Sequence, residues 1–282
     1  MSEESIVTSS GCSKITFELN PLLSFFSCFL LAFSYVSSLY IKPTTQGRNH
    51  PETIKIRFLA VTCACFLALP FLYLISTSSE SLLVYSQGHS LMSWVGVRST
   101  GVVQGAILPL VLTMILFAGP LVQMYEARIF ELYNDINYWK NSLSNIIWIR
   151  NHVVAAVCFC PVFFGLAHFH HMLQKIKFEG LEFKTAFFQS VFQFAYTTVF
   201  GVYCAYIFIR TGHLIGPVLC HAFCNHIGFP DFNEVLNEDD FDKKAKIIGC
   251  YILGPLLFFM LLNFFTAPIL YSNEVYSKYL VM

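Results

Sequence analysis

Charge is what this sequence has least of. Only 12% of its 282 residues are charged, against roughly 25% in an average soluble domain. The 17 basic and 17 acidic side chains cancel, so the formal charge is zero. So few polar groups could hardly cover the surface of a soluble globule. Without a basic excess the chain is no nucleic-acid binder working through a large positive patch. Its hydrophobicity excludes a disordered protein. No C-x-x-C pair occurs among the ten cysteines, and nine of them sit in apolar stretches. They read as small buried hydrophobes rather than a disulfide framework. Residues 1–20 lack the basic stretch that opens a secretory signal, and no small-residue cleavage site follows the first apolar run. Internal repeats and low-complexity segments are absent.

What the chain has instead is hydrocarbon. Hydrophobic residues make up 56% of it, 30 of them Phe, and the mean hydropathy is +0.60. The expected fold is all-α: a polytopic integral membrane protein with one membrane domain over 21–271, a polar tail at 1–20 and a short tail at 272–282. Seven apolar runs are long enough to be candidate spans, at 21–41, 58–76, 101–125, 153–171, 186–209, 214–229 and 247–271. The sixth is short and contains Gly216-Pro217, which is tolerated only where neighbours or water satisfy the freed backbone. The third contains Pro109 and Gly119-Pro120, which predict a kink or two shorter pieces. Between the third and fourth runs, residues 126–151 mix charges with Tyr133, Tyr138, Trp139 and Trp148. That mixture predicts one or two interfacial amphipathic helices. Basic residues fall in connections of both parities, so a count along the sequence does not orient the chain.

Polar side chains inside membrane spans are costly, and they are the first candidates for function. Two groups stand out. Phe164-Gly-Leu-Ala-His168-Phe-His170-His171 ends the fourth run, with Phe164 and His168 four residues apart on one helix face. His221-Ala-Phe-Cys-Asn225-His226 lies in the sixth, where His221 and Asn225 share a face and His226 is turned about a quarter-turn away. Structural hydrogen bonding between helices is one reading of such residues. A metal held by His168, His171 and His221 is another, but the spacing is not H-E-x-x-H and no carboxylate lies between Asp135 and Glu179.

Four segments together carry a family resemblance. They are Trp148-Ile-Arg-Asn151, Cys160-Pro-Val-Phe-Phe-Gly-Leu-Ala-His168-Phe-His-His171, Gln193–Tyr203 and Phe208–Pro230. Over about 148–230 the chain resembles the type II CAAX prenyl endopeptidases, also called CAAX prenyl protease 2 or Ras-converting enzymes. The resemblance implies an eight-helix protease of the endoplasmic reticulum membrane. It would remove the last three residues of prenylated CAAX proteins such as Ras-type small GTPases, with no metal and no other cofactor. By the family motifs, His168 helps position the attacking water, with Phe164 supporting it. His221 and Asn225 stabilise the oxyanion.

One family motif has no counterpart here. The E-E-x-x-x-R helix, whose leading glutamate activates water, should follow the W-x-R-N segment. Instead Arg150-Asn151-His152-Val153-Val154-Ala155 runs straight into Ala156-Val157-Cys158-Phe159-Cys160-Pro161. Roughly one membrane helix, ~20 residues or more, is missing at that junction. Glu126-Ala-Arg128 has the wrong spacing to replace it and reads as a surface charge at the end of the third run. The expectation is therefore a CAAX endopeptidase by lineage, impaired for want of its catalytic glutamate. The alternatives are a non-catalytic form that binds prenylated tails or regulates a full-length protease, and a transporter or channel suggested by hydropathy alone.

Overall fold

The computed structural model describes residues 15–17, 20–42, 46, 49–78, 89–154, 172, 175–177 and 179–276. Two long apolar helices begin it. α1 (Pro21–Ser38) is started by Asn20, whose side chain accepts from the Leu23 amide, with Pro21 in the first turn where its missing N–H is not needed. α2 (Pro51–Leu74) starts the same way, with His50 as its cap and Pro51 following. The two pack on each other and turn Phe25, Phe26, Leu67 and Leu74 outward, as helices do when the solvent is lipid. A two-residue ribbon, β1 (Ile15–Thr16) against antiparallel β2 (Thr77–Ser78), is the one sheet among the described residues. A single-turn helix α3 (Leu91–Trp94) leads into the centre of the molecule.

That centre is α4 (Val102–Leu116), joined to α5 (Ala118–Glu126) at a bend of 72°. The bend falls at Phe117, just ahead of Gly119-Pro120. Pro120 sits in the first turn of α5, where no intrahelical donor is required. Pro109 stays inside α4 without breaking it. A proline there leaves the Gly105 carbonyl without its amide, and that oxygen faces Gly216 so closely that a Cβ on Gly216 would lie 2.7 Å from it. A 3₁₀ turn (Ile129–Asn134), α6 (Ile136–Ser144), α7 (Ile146–Ile149) and a π turn (Arg150–Val154) follow, where one or two interfacial helices were expected. The chain then forms α8 (Phe183–Thr211), α9 (Ile215–Ile227), α10 (Phe232–Leu236) and α11 (Phe241–Phe265). α9 and α11 both pack against α4, and α11 also against α5.

The fold is that of an all-α polytopic membrane protein. α1, α2, α8 and α11 are each long and apolar enough to cross a bilayer, and the bent α4–α5 pair is so when taken together as one broken span. Four of the seven expected spans are thus found among the described residues as single long helices, and the third as the bent pair. The fourth, 153–171, lies almost wholly outside the described residues. The sixth run, read as short, forms α9, whose 13 residues give about 20 Å at 1.5 Å per residue, against a hydrocarbon core of about 30 Å. Gly212 before it and Gly228 after it adopt positive φ, which ends the regular helix on both sides. The last run starts earlier than hydropathy suggested. Asp240 accepts from the amides of Asp242 and Lys243 and so begins α11 within the lysine-rich connection.

The cysteines also need correcting. Cys204 and Cys220 are buried, but Cys28, Cys63 and Cys65 face outward. A small apolar side chain has no need of the protein interior when lipid is outside. None of the described cysteines is in a disulfide.

Candidate active site

α9 carries the best-described part of the candidate site. Its N-terminus is tied down by the Leu214 amide bonding to Gly96 O at 3.0 Å, and its C-terminus by the Gly228 amide bonding to Cys224 O at 2.9 Å. His221 faces inward and is 4% exposed, with its ring edge-on to Phe200 of α8 at 5.4 Å. One residue back, Cys220 is fully buried and accepts from Thr113 Oγ1 at 3.1 Å. Thr113 also bonds the Tyr203 hydroxyl at 3.0 Å and Pro109 O at 2.8 Å. That three-way contact locks α4, α8 and α9 together directly beneath His221.

Asn225, one turn on, is exposed. Its Nδ2 donates to the Asn151 carbonyl at 2.6 Å. The α9 segment and the Trp148–Asn151 segment, 74 residues apart in sequence, therefore meet. The junction continues through aromatic rings. Trp148 stacks on His152 at 4.2 Å, and His152 packs edge-on to His226 at 5.5 Å. His226 Nε2 is 2.7 Å from the Tyr133 hydroxyl, and Tyr133 packs against Trp139 at 5.6 Å. His152 Nδ1 lies 2.8 Å from Trp148 O, a contact in which Nδ1 carries the proton and the carbonyl accepts it.

The sequence reading missed this junction. It placed Tyr133, Tyr138, Trp139 and Trp148 at the headgroup level, and did not foresee that Tyr133 and Trp148 also pack on His226 and His152. The available signal was the run of Tyr and Trp beside a histidine-rich segment, since both rings carry a polar atom that seeks a partner when packed. Glu126 is an ion-pair partner of Lys246 at the foot of α11, in keeping with the surface role expected of it. Phe164, His168 and His171 lie at positions outside the described residues, as does the junction Ala155-Ala156. Among the described residues no group of three or more His, Cys, Asp or Glu is arranged to hold a metal ion.

Comparison with known proteins matches residues 91–227 to the family described as Type II CAAX prenyl endopeptidase Rce1-like. The chain is 38% identical to the CAAX prenyl protease 2 of Homo sapiens, over 89% of this chain and 83% of that one. The chain belongs to the type II CAAX prenyl endopeptidase family. It is also 34% identical to the Rattus norvegicus CAAX prenyl protease 2, over 89% of this chain and 82% of that one. Against the Arabidopsis thaliana CAAX prenyl protease 2 it is 26% identical, over 88% and 91%. No solved structure matches it.

Membership of this CAAX protease family places the chain among hydrolases, and the family match ends at α9, on the residues that form the junction. The human and rat comparisons each run over 281 aligned positions, yet 89% of 282 residues is only about 251. Roughly 30 aligned positions in total therefore have no counterpart in this chain.

Proposed function

We propose that this chain descends from, and retains part of, the intramembrane site that removes the C-terminal tripeptide from prenylated CAAX proteins. Ras-type small GTPases are substrates of the right class, and the endoplasmic reticulum membrane is the proposed location. The observation that carries the reading is the arrangement along α9: a buried His221 and, one turn away, an exposed Asn225 whose amide is held by a backbone carbonyl. Two donors on one helix face suit a developing oxyanion, which fixed dipoles stabilise without reorganising. By family motif, His168 would position the attacking water, with Phe164 beside it. The proposed chemistry is water attack on a peptide bond and takes no metal.

The attack requires a base within hydrogen-bond reach of the water. The family's glutamate has no counterpart in the sequence, and the roughly 30 aligned positions without a counterpart are enough to include the helix that carries it. The chain expressed alone is therefore expected to cleave a farnesylated CAAX peptide about 10²–10⁴-fold more slowly than a full-length family member, if it cleaves at all. Inserting a family E-E-x-x-x-R helix between Ala155 and Ala156 should restore tripeptide release, and His221→Ala in that restored chain should abolish it. Fast cleavage by the unmodified chain, in membranes devoid of other CAAX proteases, would place the base elsewhere.

The missing glutamate favours a second reading, in which the chain binds prenylated tails or modulates a full-length protease without turning over. Saturable binding of the farnesylated peptide without tripeptide release would support it.

A further inference from the structure

An amide that stabilises an oxyanion must be aimed before the charge forms. Asn225 sits on an exposed face of α9, where a side chain with two free torsions would otherwise choose among several rotamers. Among the described residues, what restrains it is the bond from Nδ2 to the Asn151 carbonyl. One N–H of the amide is taken by that carbonyl. The second N–H of the same nitrogen is thereby turned in a fixed direction.

The Asn151 carbonyl belongs to the π turn Arg150–Val154. Such turns are rare and occur frequently at functional sites. This one is clamped from within. Arg150 Nε donates to Asn151 Oδ1 at 3.0 Å, and Arg150 Nη1 donates to Asn49 Oδ1 at 3.0 Å, just before α2. A planar guanidinium is suited to this double duty because its donors point in fixed directions. The geometry points to Arg150 as a positioning residue: it fixes the π turn to the foot of α2, so that the Asn151 carbonyl holds the Asn225 amide ready for an oxyanion. In this role Arg150 acts through Asn151 rather than on the reacting atoms. This rests on the reading of Asn225 as an oxyanion donor.

The test measures binding and does not depend on turnover. A farnesylated CAAX peptide with a phosphinate at the scissile position carries a tetrahedral, negatively charged oxygen. The matching ketomethylene peptide carries a neutral carbonyl. The full chain in bicelles should bind the phosphinate more tightly than the ketomethylene. Arg150→Gln and Asn225→Ala should each reduce that preference by about tenfold or more. Affinity for the ketomethylene should change less than about twofold, because uniform binding does not report on transition-state stabilisation. The double variant should be no worse than either single one, as expected of residues acting as a unit. Asn49→Ala, a milder change that leaves the guanidinium in place, should lose part of the preference and decides the matter if Arg150→Gln does not fold. Retention of the full preference by Arg150→Gln and Asn49→Ala, with its loss in Asn225→Ala, would overturn the role of Arg150. Absence of any preference in the unmodified chain would overturn the oxyanion reading itself, and this inference with it.

Discussion

His213 is a residue whose burial has a measurable consequence. It lies between α8 and α9 and is fully buried, its ring packed so close to α4 that a Cβ on Gly105 would come within 2.8 Å of it. Burial disfavours the imidazolium, and the nearby Arg98 guanidinium disfavours it further, while the Thr100 and Tyr271 backbone partly opposes them. The net effect holds His213 below the ordinary histidine range. A histidine whose folded pKa is depressed binds its proton more readily when unfolded, so it favours the unfolded state as pH falls. Stability is expected to be full above the unfolded value of about 6.5 and to decline as pH drops from there toward the folded value. Thermal melting in bicelles between pH 7.5 and pH 5 should show that decline. His213→Asn should be less stable at pH 7.5 but have a flatter profile in that window. An unchanged slope in the variant would assign the pH response to other groups. Sequence could not have singled out this residue, because nothing in the run Arg210-Thr-Gly-His says that the ring meets a glycine on a helix over a hundred positions earlier.

At the scale of elements, one side chain ties α5 to both α10 and α11. Gln123 is 8% exposed; its Nε2 donates to the Glu234 carboxylate of α10 and to Asp231 O at 3.3 Å, and its Oε1 accepts from the Tyr251 hydroxyl of α11 at 2.9 Å. Beside it, Gly119 leaves room for the Tyr251 ring, which a Cβ would meet at 2.4 Å. Gln123→Leu keeps the volume and removes every one of these bonds, stranding the partners, and should destabilise by about 1–3 kcal/mol. Gln104→Leu, on an exposed face of α4, is the control and should stay within about 0.5 kcal/mol. Denaturant unfolding in mixed micelles would compare them. The long helices were legible because runs of some 20 apolar residues report on themselves, and α1, α2 and α8 fall where hydropathy put them. The bend at Phe117 was less so, since hydropathy measures solvent preference and not direction. The motif pair His221 and Asn225 was legible from its i, i+4 spacing. Its link to Asn151 was not, because that bond uses a backbone carbonyl, which carries no residue identity.

At the scale of the whole molecule, the contacts sort the helix ends into two groups, which settles what parity along the sequence could not. One end gathers the starts of α2 and α11 and the ends of α5 and α9, tied by Arg150 to Asn49, Asn225 to Asn151, and Lys246 to Glu126. The other gathers α3, the end of α8 and the C-terminal segment: Trp94 Nε1 bonds Ile15 O, Arg98 bonds Ser272 O, and Asn273 caps α8 through Ile209 O and Arg210 O. Among the described lysines and arginines, Arg98 and Arg210 lie at this second end and the other twelve at the first. A count by parity needs every apolar run to cross, whereas the contacts place each end directly, and α9 runs from the end of α8, where Leu214 meets Gly96, to the end where Asn225 meets Asn151. Lysine and arginine near membrane ends are retained on the cytoplasmic side, and acidic residues count little in that balance. The end bearing Asn225 and Arg150 is therefore expected to face the cytoplasm, the side on which a prenylated cytosolic substrate would arrive. In sealed microsomes, whose outer face is cytoplasmic, Lys140→Cys should react with a membrane-impermeant maleimide above the background of the parent chain. Thr100→Cys, equally exposed but at the opposite end, should react only after the membrane is permeabilised. The reverse pattern would invert the chain and put the Asn225 junction out of reach of any cytosolic tail.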